Sequence, residues 1–393
     1  MKLVQLTNRI FYLPGEQVTD RPLLYYIRGD RYGIAVDAGN SEAHVRLFYS
    51  ELTALGLPLP RLTVITHWHW DHTFGLPYIH GASIATEKTQ AKLEKVSHWV
   101  WTREAMDARE RTGEDIAFCN GCIREEYADL SIIQVQPADI GIAQPLTLCP
   151  GGVEVHLYPV DSVHSRDAML IHIPAEGVLI GGDAECEDFY EGHGKANPAR
   201  ITAYRALLDS LDFTYYCYGH IPPESRAEIN ARLDGMLEAY GYTVRPVTDA
   251  DQKAACVAEV LHDLPAWFGI PESTATYVAD SREQQVWIAA HEEELLGCIA
   301  LKPTSAVTAE IAVMGVKRDY HRCGVGKALF DALCAGAREA GYQFLQVKTV
   351  QEGRYPAYDR TNAFYRSLGF QPLECFPTLW SETNPCQVYI RAL

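Results

Sequence analysis

Apolar and polar positions divide the chain into two patterned stretches. Short apolar runs separated by turns fill residues 1–36, and Leu24–Ile27 and Ile34–Val36 read as strands. Residues 41–55 change to helical spacing, with Leu47, Leu52 and Leu55 apolar. The apolar run Leu62–Thr66 then leads straight into a cluster of histidines. Residues 87–130 break the strand-rich pattern. They are helix-prone and charged, with Trp99 and Trp101 embedded, and predict an inserted lid. Strands resume at Val153–Tyr158, Met169–Ile173 and Val178–Ile180. A helix over Pro198–Leu208, a strand over Tyr215–Tyr218 and a closing helix over 223–240 follow, the last started by Pro222 and Pro223. Gly241 stops that helix, and Thr243–Val247 opens a second pattern. It predicts helices at 249–263, 324–340 and 361–368 and strands at 286–290, 295–301, 309–316 and 343–350. Two mixed α/β domains are expected, 1–242 and 243–393.

A length of 393 residues agrees with two domains and needs no disulfide staples. The 47% apolar and 22% charged fractions exclude a disordered or fibrous chain. The net charge of −17 repels phosphate backbones, so no nucleic-acid partner is expected; small-molecule substrates are. That charge is uneven, −13 over residues 1–242 and −4 over 243–393, which leaves the second part less hostile to an anionic ligand. No apolar run reaches the ~18 residues that span a bilayer, so no membrane partner is expected. The first residues lack the apolar core of a signal peptide. Eleven cysteines, an odd number and mostly scattered singly, read as reduced thiols, and the expected location is cytoplasmic.

The segment Thr66-His67-Trp68-His69-Trp70-Asp71-His72 carries the strongest chemistry. Residues two apart in an extended segment point the same way, so His67 and His69 can reach one metal together. Asp71 and His72 lie where the chain must turn and can reach a second. Imidazole and carboxylate suit zinc or iron better than calcium or magnesium. Two further strand ends offer ligands: Val178-Leu-Ile-Gly-Gly-Asp183 and Tyr215-Tyr-Cys-Tyr-Gly-His220. In each, glycine lets the chain turn tightly and aims a ligand off the strand.

These residues resemble a metallo-β-lactamase-fold hydrolase of the glyoxalase II type, across residues 1–240. His67, Trp68, His69, Trp70, Asp71 and His72 match that family's His-x-His-x-Asp-His motif throughout. The resemblance implies an αββα sandwich in which His67, His69 and His164 hold one divalent metal ion. It implies that Asp71, His72 and His220 hold the other, with Asp183 bridging. Val36-Asp37-Ala-Gly39 resembles the family's early Asp-x-Gly turn, which supports the site from behind. Val163-His164-Ser165 departs from the family by lacking glycine before the histidine. His156 and His172 are rivals inside alternating strand patterns, and the polar turn Asp161–Asp167 favours His164. Two metals sharing a water would lower its pKa enough to leave hydroxide at neutral pH. An ester, thioester, amide, lactone or phosphoester would all suit that chemistry.

In the second pattern a strand ending Met314-Gly315-Val316 leads to Arg322-Cys323-Gly324-Val325-Gly326-Lys327 and a helix. A glycine-bearing loop before a helix N-terminus is a ready pyrophosphate site. Thr361-Asn-Ala-Phe-Tyr365-Arg-Ser-Leu-Gly369-Phe370 follows some 35 residues later. Together these resemble the acetyl-CoA signature of the GNAT N-acetyltransferases, over about residues 243–393, with His321 where Arg or Gln is usual. The resemblance implies that the Arg322–Lys327 loop holds the pyrophosphate, that Val316 pairs its backbone with pantetheine and that Asn362 contacts the CoA arm. It makes Tyr365 the acid that protonates the leaving thiolate. Glu310, on the strand leading to the loop, is the candidate base, with a sheet-edge carboxylate as the other reading.

The expected fold class is therefore α/β, an αββα sandwich followed by a GNAT domain. Asp71, Tyr365 and Glu310 are the candidate catalytic residues, and two divalent metals, zinc before iron, and acetyl-CoA the expected cofactors. The leading expectation is a bifunctional dimetal hydrolase and N-acetyltransferase acting on a small-molecule amine. A thioesterase whose second domain only senses acyl-CoA, and a non-enzymatic binding protein, are the alternatives. Cys119 and Cys122 form a lone Cys-x-x-Cys, a weak metal or redox signal. His44, His98, His193, His262 and His291 read as surface or satisfied core residues, and Trp68 and Trp70 as packing for the metal loop.

Overall fold

A computed structural model describes residues 2–192 and 194–393, so His193 lies outside the described residues. The chain forms two compact units, Met1–Ala239 and Tyr240–Leu393.

The first unit holds two sheets. One runs β1 (Val4–Gln5), β2 (Ile10–Leu13), β3 (Leu24–Arg28), β4 (Gly33–Val36), β5 (Pro60–Val64), β6 (Ala82–Thr86) and β7 (Ile140–Ile142) in spatial order. Its first four strands are an antiparallel meander, and β4 to β7 pair in parallel. The other contains β8 (Leu146–Leu148), β9 (Val155–Pro159), β10 (Met169–Ile173), β11 (Val178–Gly182), β12 (Tyr215–Tyr218) and β13 (Glu224–Ser225), antiparallel except for β11 against β12. Alternation along the strands explains the layers. Tyr25, Ile27, Ile34 and Val36 meet Val155, Leu157, Ile171 and Ile180 between the sheets. Leu24 and Tyr26, one residue out of phase, pack outward on Phe48 and Leu52 of α1 (Glu42–Ala54).

Helices α2 (Trp70–Thr73), α3 (Glu87–Ser97), α4 (Arg103–Thr112) and α5 (Ala117–Glu126) follow β5 and β6. The lid expected over 87–130 starts later than the sequence suggests. Leu93 of α3 is fully buried with Ile65, Ala85 and Ala138, so α3 belongs to the sheet layer. Trp101, Met106, Cys119, Cys122 and Ile123 form a separate aromatic-rich cluster with Trp68, Trp70 and Phe74. Helices α6 (Pro198–Ser210) and α7 (Arg226–Tyr240) complete the unit.

The second unit is one sheet ordered β14 (Thr243–Val247), β15 (Gln285–His291), β16 (Glu294–Pro303), β17 (Thr308–Val316), β18 (Phe344–Val350), β20 (Cys386–Ala392), β19 (Gln371–Phe376). Helices α8 (Ala250–His262) and α9 (Pro271–Asp280) precede β15, and α10 (Val325–Glu339) and α11 (Pro356–Ser367) flank β18 in sequence. Leu329, Phe330 and Leu333 of α10 cover one sheet face, and Val257, Val260 and Leu261 of α8 the other. Strand β17 pairs with β18 in parallel only from Thr308 to Ile311, so the two splay beyond that point. Among the described residues no helix is long and apolar enough to cross a membrane.

Candidate active sites

The strand order of the first unit converges on one edge. Asp37 follows β4, His67 to His72 follow β5, Asp183 follows β11 and Gly219-His220 follow β12. Parallel pairing of β4 with β5 and of β11 with β12 puts these loops side by side at the carboxyl ends of their strands. There the structure brings together His67, His69 and His164 as one group, and Asp71, His72, Asp183 and His220 as another. One oxygen lies between the groups. Asp183 Oδ2 is 3.4 Å from His72 Nε2, 3.5 Å from His220 Nε2, and 3.9 Å from both His67 Nε2 and His164 Nε2. Tetrahedral ligands at zinc-ligand bond lengths stand about 3.4 Å apart, so this spacing suits a shared cation.

Two further observations fit a metal pair. His67 Nε2 and Asp183 Oδ1 are buried and make no hydrogen bond among the described residues, and His72 Nε2, equally buried, faces only carboxylate, 2.9 Å from Asp71 Oδ2. The other ring nitrogens are engaged from behind. Asp37 Oδ2 lies 2.7 Å from His72 Nδ1, and Asp37 also accepts from the Thr66 amide at 2.7 Å. His164 Nδ1 lies 2.6 Å from the Glu187 carbonyl oxygen, and His67 Nδ1 lies 3.1 Å from Thr66 Oγ1. Such contacts set the tautomer and present the remaining lone pair to a metal. Burial and the neighbouring imidazoles hold His67 and His69 well below the ordinary histidine range. Burial opposes charge on His72 too, yet Asp71, Asp37 and Asp183 outweigh it and raise that group. A divalent cation takes neutral imidazole and carboxylate donors, so its binding would displace the proton that these carboxylates favour on His72.

His156 and His172 stand in neither group. They face each other across β9 and β10, and His172 Nε2 lies 2.7 Å from the Asp212 carbonyl oxygen. His44 departs from expectation. It is buried, both ring nitrogens lack a hydrogen-bond partner among the described residues, and burial followed by the Arg21 charge pushes it down to about 3. Cys119 and Cys122 are free and buried in α5, and burial raises both thiols. Two supporting residues escaped the sequence. Asp20, at φ 54°, sets its carboxylate 3.6 Å from His220 Nδ1. Asp167 accepts from the Trp68 amide at 3.0 Å and from Thr89 Oγ1 at 2.8 Å, which ties the metal loop to α3. Neither sits in a recognisable motif.

In the second unit Val316 ends β17, and from Ala312 to Val316 the edge toward β18 makes no ladder pairing with it. The loop to α10 passes through two left-handed residues, Arg322 at φ 65° and Gly324 at φ 82°, the latter capping Val325. Cys323 is buried, Gly326 packs tightly under Phe364, and Lys327 reaches the surface to pair with Asp331. A pyrophosphate facing this turn would meet the amino end of a 15-residue helix. Tyr365 is buried beside Phe364 and Phe370, and burial raises its phenol, which stays protonated at neutral pH.

Two expectations here need correction. Asn362 does not reach out to a CoA arm. It is fully buried, with Nδ2 donating to the Val350 and Tyr358 carbonyls at 3.0 and 2.7 Å and Oδ1 accepting from Tyr389 at 2.8 Å. Glu310 is poorly suited to act as a base. Although burial favours its neutral form, Lys348 at 2.8 Å, Lys302 at 3.0 Å and Gln346 at 2.6 Å hold its pKa below the usual value.

Two family models match the chain: the metallo-beta-lactamase superfamily over residues 21–220 and the acetyltransferase (GNAT) domain over residues 282–372. A curated relative, the uncharacterized N-acetyltransferase YsnE of Bacillus subtilis (strain 168), is 31% identical over 98 residues. That match takes in 25% of this chain and spans 63% of the relative's length. Among solved structures, a metallo-beta-lactamase from Pontibacter korlensis is 15% identical, covering 60% of this chain and 98% of its own, with a TM-score of 0.41. A GNAT family acetyltransferase from Elizabethkingia anophelis with acetyl-CoA bound is 17% identical, covering 39% and 98%, with a TM-score of 0.32.

Proposed function

The chain belongs to the metallo-beta-lactamase superfamily and carries a GNAT acetyltransferase domain after it, and we propose that it is a bifunctional enzyme, a dimetal hydrolase and an acetyl-CoA-dependent N-acetyltransferase of small-molecule amines. The observation that carries the first activity is the single Asp183 oxygen within 3.9 Å of four imidazole nitrogens from both ligand groups. In this reading His67, His69 and His164 hold one ion, Asp71, His72 and His220 the other, and Asp183 both. Bound zinc supplies an activated water and an electrophile for a carbonyl or phosphoryl oxygen. The chain's own part is to fix the imidazoles through Asp37, Thr66 and the Glu187 carbonyl, and burial keeps those of His67 and His69 neutral.

For the second activity, Tyr365 donates a proton to the departing thiolate, and the turn before α10 binds the pyrophosphate. The engaged state of Glu310 supports a second reading, in which this domain binds acyl-CoA without acetylating an amine.

The test has two parts. Elemental analysis is expected to give two transition-metal ions per chain, and Asp183→Ala is expected to lose metal; unchanged stoichiometry would remove the bridging role. Tyr365→Phe is expected to slow acetylation by about 10²-fold or more with acetyl-CoA affinity nearly unchanged by calorimetry. Tight acetyl-CoA binding with no turnover across a broad amine panel would favour the sensing reading. No CoA binding at all would exclude both.

A further inference from the structure

What stands behind the site histidines differs between the two ligand groups. Behind the first group the backing is neutral. His67 Nδ1 lies 3.1 Å from the Thr66 hydroxyl, and His164 Nδ1 lies 2.6 Å from the Glu187 carbonyl oxygen. Among the described residues, the carboxylate at ion-pair distance from these two rings is the shared Asp183, 3.9 Å from each. Behind the second group the backing is anionic. Asp37 Oδ2 lies 2.7 Å from His72 Nδ1, and Asp20 Oδ1 lies 3.6 Å from His220 Nδ1. His220 Nε2 turns the other way, 3.1 Å from Asp71 Oδ2 and 3.5 Å from Asp183 Oδ2. The ring thus stands between Asp20 and the ligand cluster.

The fold holds Asp20 in that position. Its backbone is left-handed, at φ 54°, a conformation that Asp and Asn adopt more readily than most residues with a side chain. Its neighbours on both sides are anchored: the Thr19 carbonyl accepts from Asn40 Nδ2 at 2.8 Å, and Arg21 pairs with Glu126 at 2.7 Å. The Leu23 amide donates to the Gly219 carbonyl at 2.6 Å, which joins the same loop to the turn that carries His220. At 3.6 Å the contact with His220 is longer than a hydrogen bond and acts through charge.

Resting on the dimetal reading of this centre, we propose that Asp20 is a positioning residue for His220, and that the Asp71, His72 and His220 position is the tighter of the two metal positions and fills first. A carboxylate behind an imidazole fixes its tautomer and makes the metal-facing nitrogen a stronger donor. Asp37 does this for His72 and Asp20 for His220, and Asp71 adds a charge of its own. The other position offers three imidazoles with no carboxylate besides its share of Asp183.

The test titrates zinc into the metal-free full-length chain in competition with a chromophoric chelator. Two binding steps at least about tenfold apart are expected. His69→Ala is expected to lose the weaker step and keep the tighter, and His220→Ala the reverse. Asp20→Asn preserves the shape and the left-handed backbone. It is expected to weaken the tighter step by about tenfold or more and to leave the weaker within about twofold. Two steps of equal affinity in the wild type would overturn the proposal, whether or not any variant folds. So would a tighter step that survives His220→Ala, or an Asp20→Asn chain whose tighter step is unchanged. Equal weakening of both steps in Asp20→Asn would mark a general structural fault and remove the positioning role. Fewer than two zinc ions per wild-type chain sinks the dimetal reading itself; two ions of equal affinity sink this inference alone.

Discussion

At position 219 the absence of a side chain keeps the shared carboxylate in place. A Cβ there would stand 2.0 Å from Asp183 Oδ1 and 3.1 Å from His72 Cε1. Neither neighbour can retreat, because His72 is held by Asp37 and Asp183 is itself buried. Gly219→Ala is therefore expected to reduce metal from two ions per chain to one or none. Hydrolysis should fall by about 10²-fold, since a misplaced reacting group costs that much. Elemental analysis beside a thioester and lactone panel checks this, and full metal occupancy would show that the carboxylate can move. The ligand set was largely legible because four of its members fall within six residues, Asp183 and His220 follow glycines at strand ends, and His164 lies in a polar turn. Asp20 was not legible. Its approach to His220 joins positions 200 residues apart, and only the folded β-sheet framework brings them together.

At the scale of elements, Asn362 shows how a motif residue can serve packing. Its amide joins α11 to the end of β18 and, through Tyr389, to β20. Asn362→Ala deletes these bonds and leaves the buried Tyr389 hydroxyl without that acceptor. A loss of about 1–3 kcal/mol in the stability of the second unit is expected. Chemical denaturation measures it, and acetyl-CoA affinity of the folded variant should stay near wild type. A selective loss of affinity at unchanged stability would return Asn362 to the binding site. Elements were legible where the apolar run was long or the spacing regular: Met169–Ile173 and Tyr215–Tyr218 match their expected limits. β7 and β8 have three residues each, too few to show a period. α9 went unseen because Thr274 is its only buried residue, so no apolar stripe marks it. β19 is an edge strand whose exposed side chains, Leu373 among them, carry no clear alternation.

At the scale of the whole molecule, the crowding of His67, His69, Asp71 and His72 into six residues has a kinetic consequence. These four donors need no fold to find one another, whereas His164, Asp183 and His220 arrive only when the second sheet has formed. The unfolded chain is thus a chelator in its own right, and its acidic N-terminal half draws divalent cations toward it. Binding to unfolded protein offsets part of the stabilisation that binding to the native state provides. It also detains the chain, because a cation gripped by two or three of these donors must be released before the native partners can take it. Refolding from denaturant in a several-fold excess of zinc is expected to be slower than refolding in chelator with zinc added afterwards. Tryptophan fluorescence after rapid dilution follows both. Equal rates would show that the local cluster exchanges zinc faster than the sheets assemble; a slow phase that scales with zinc would mark the motif as a trap as well as a ligand.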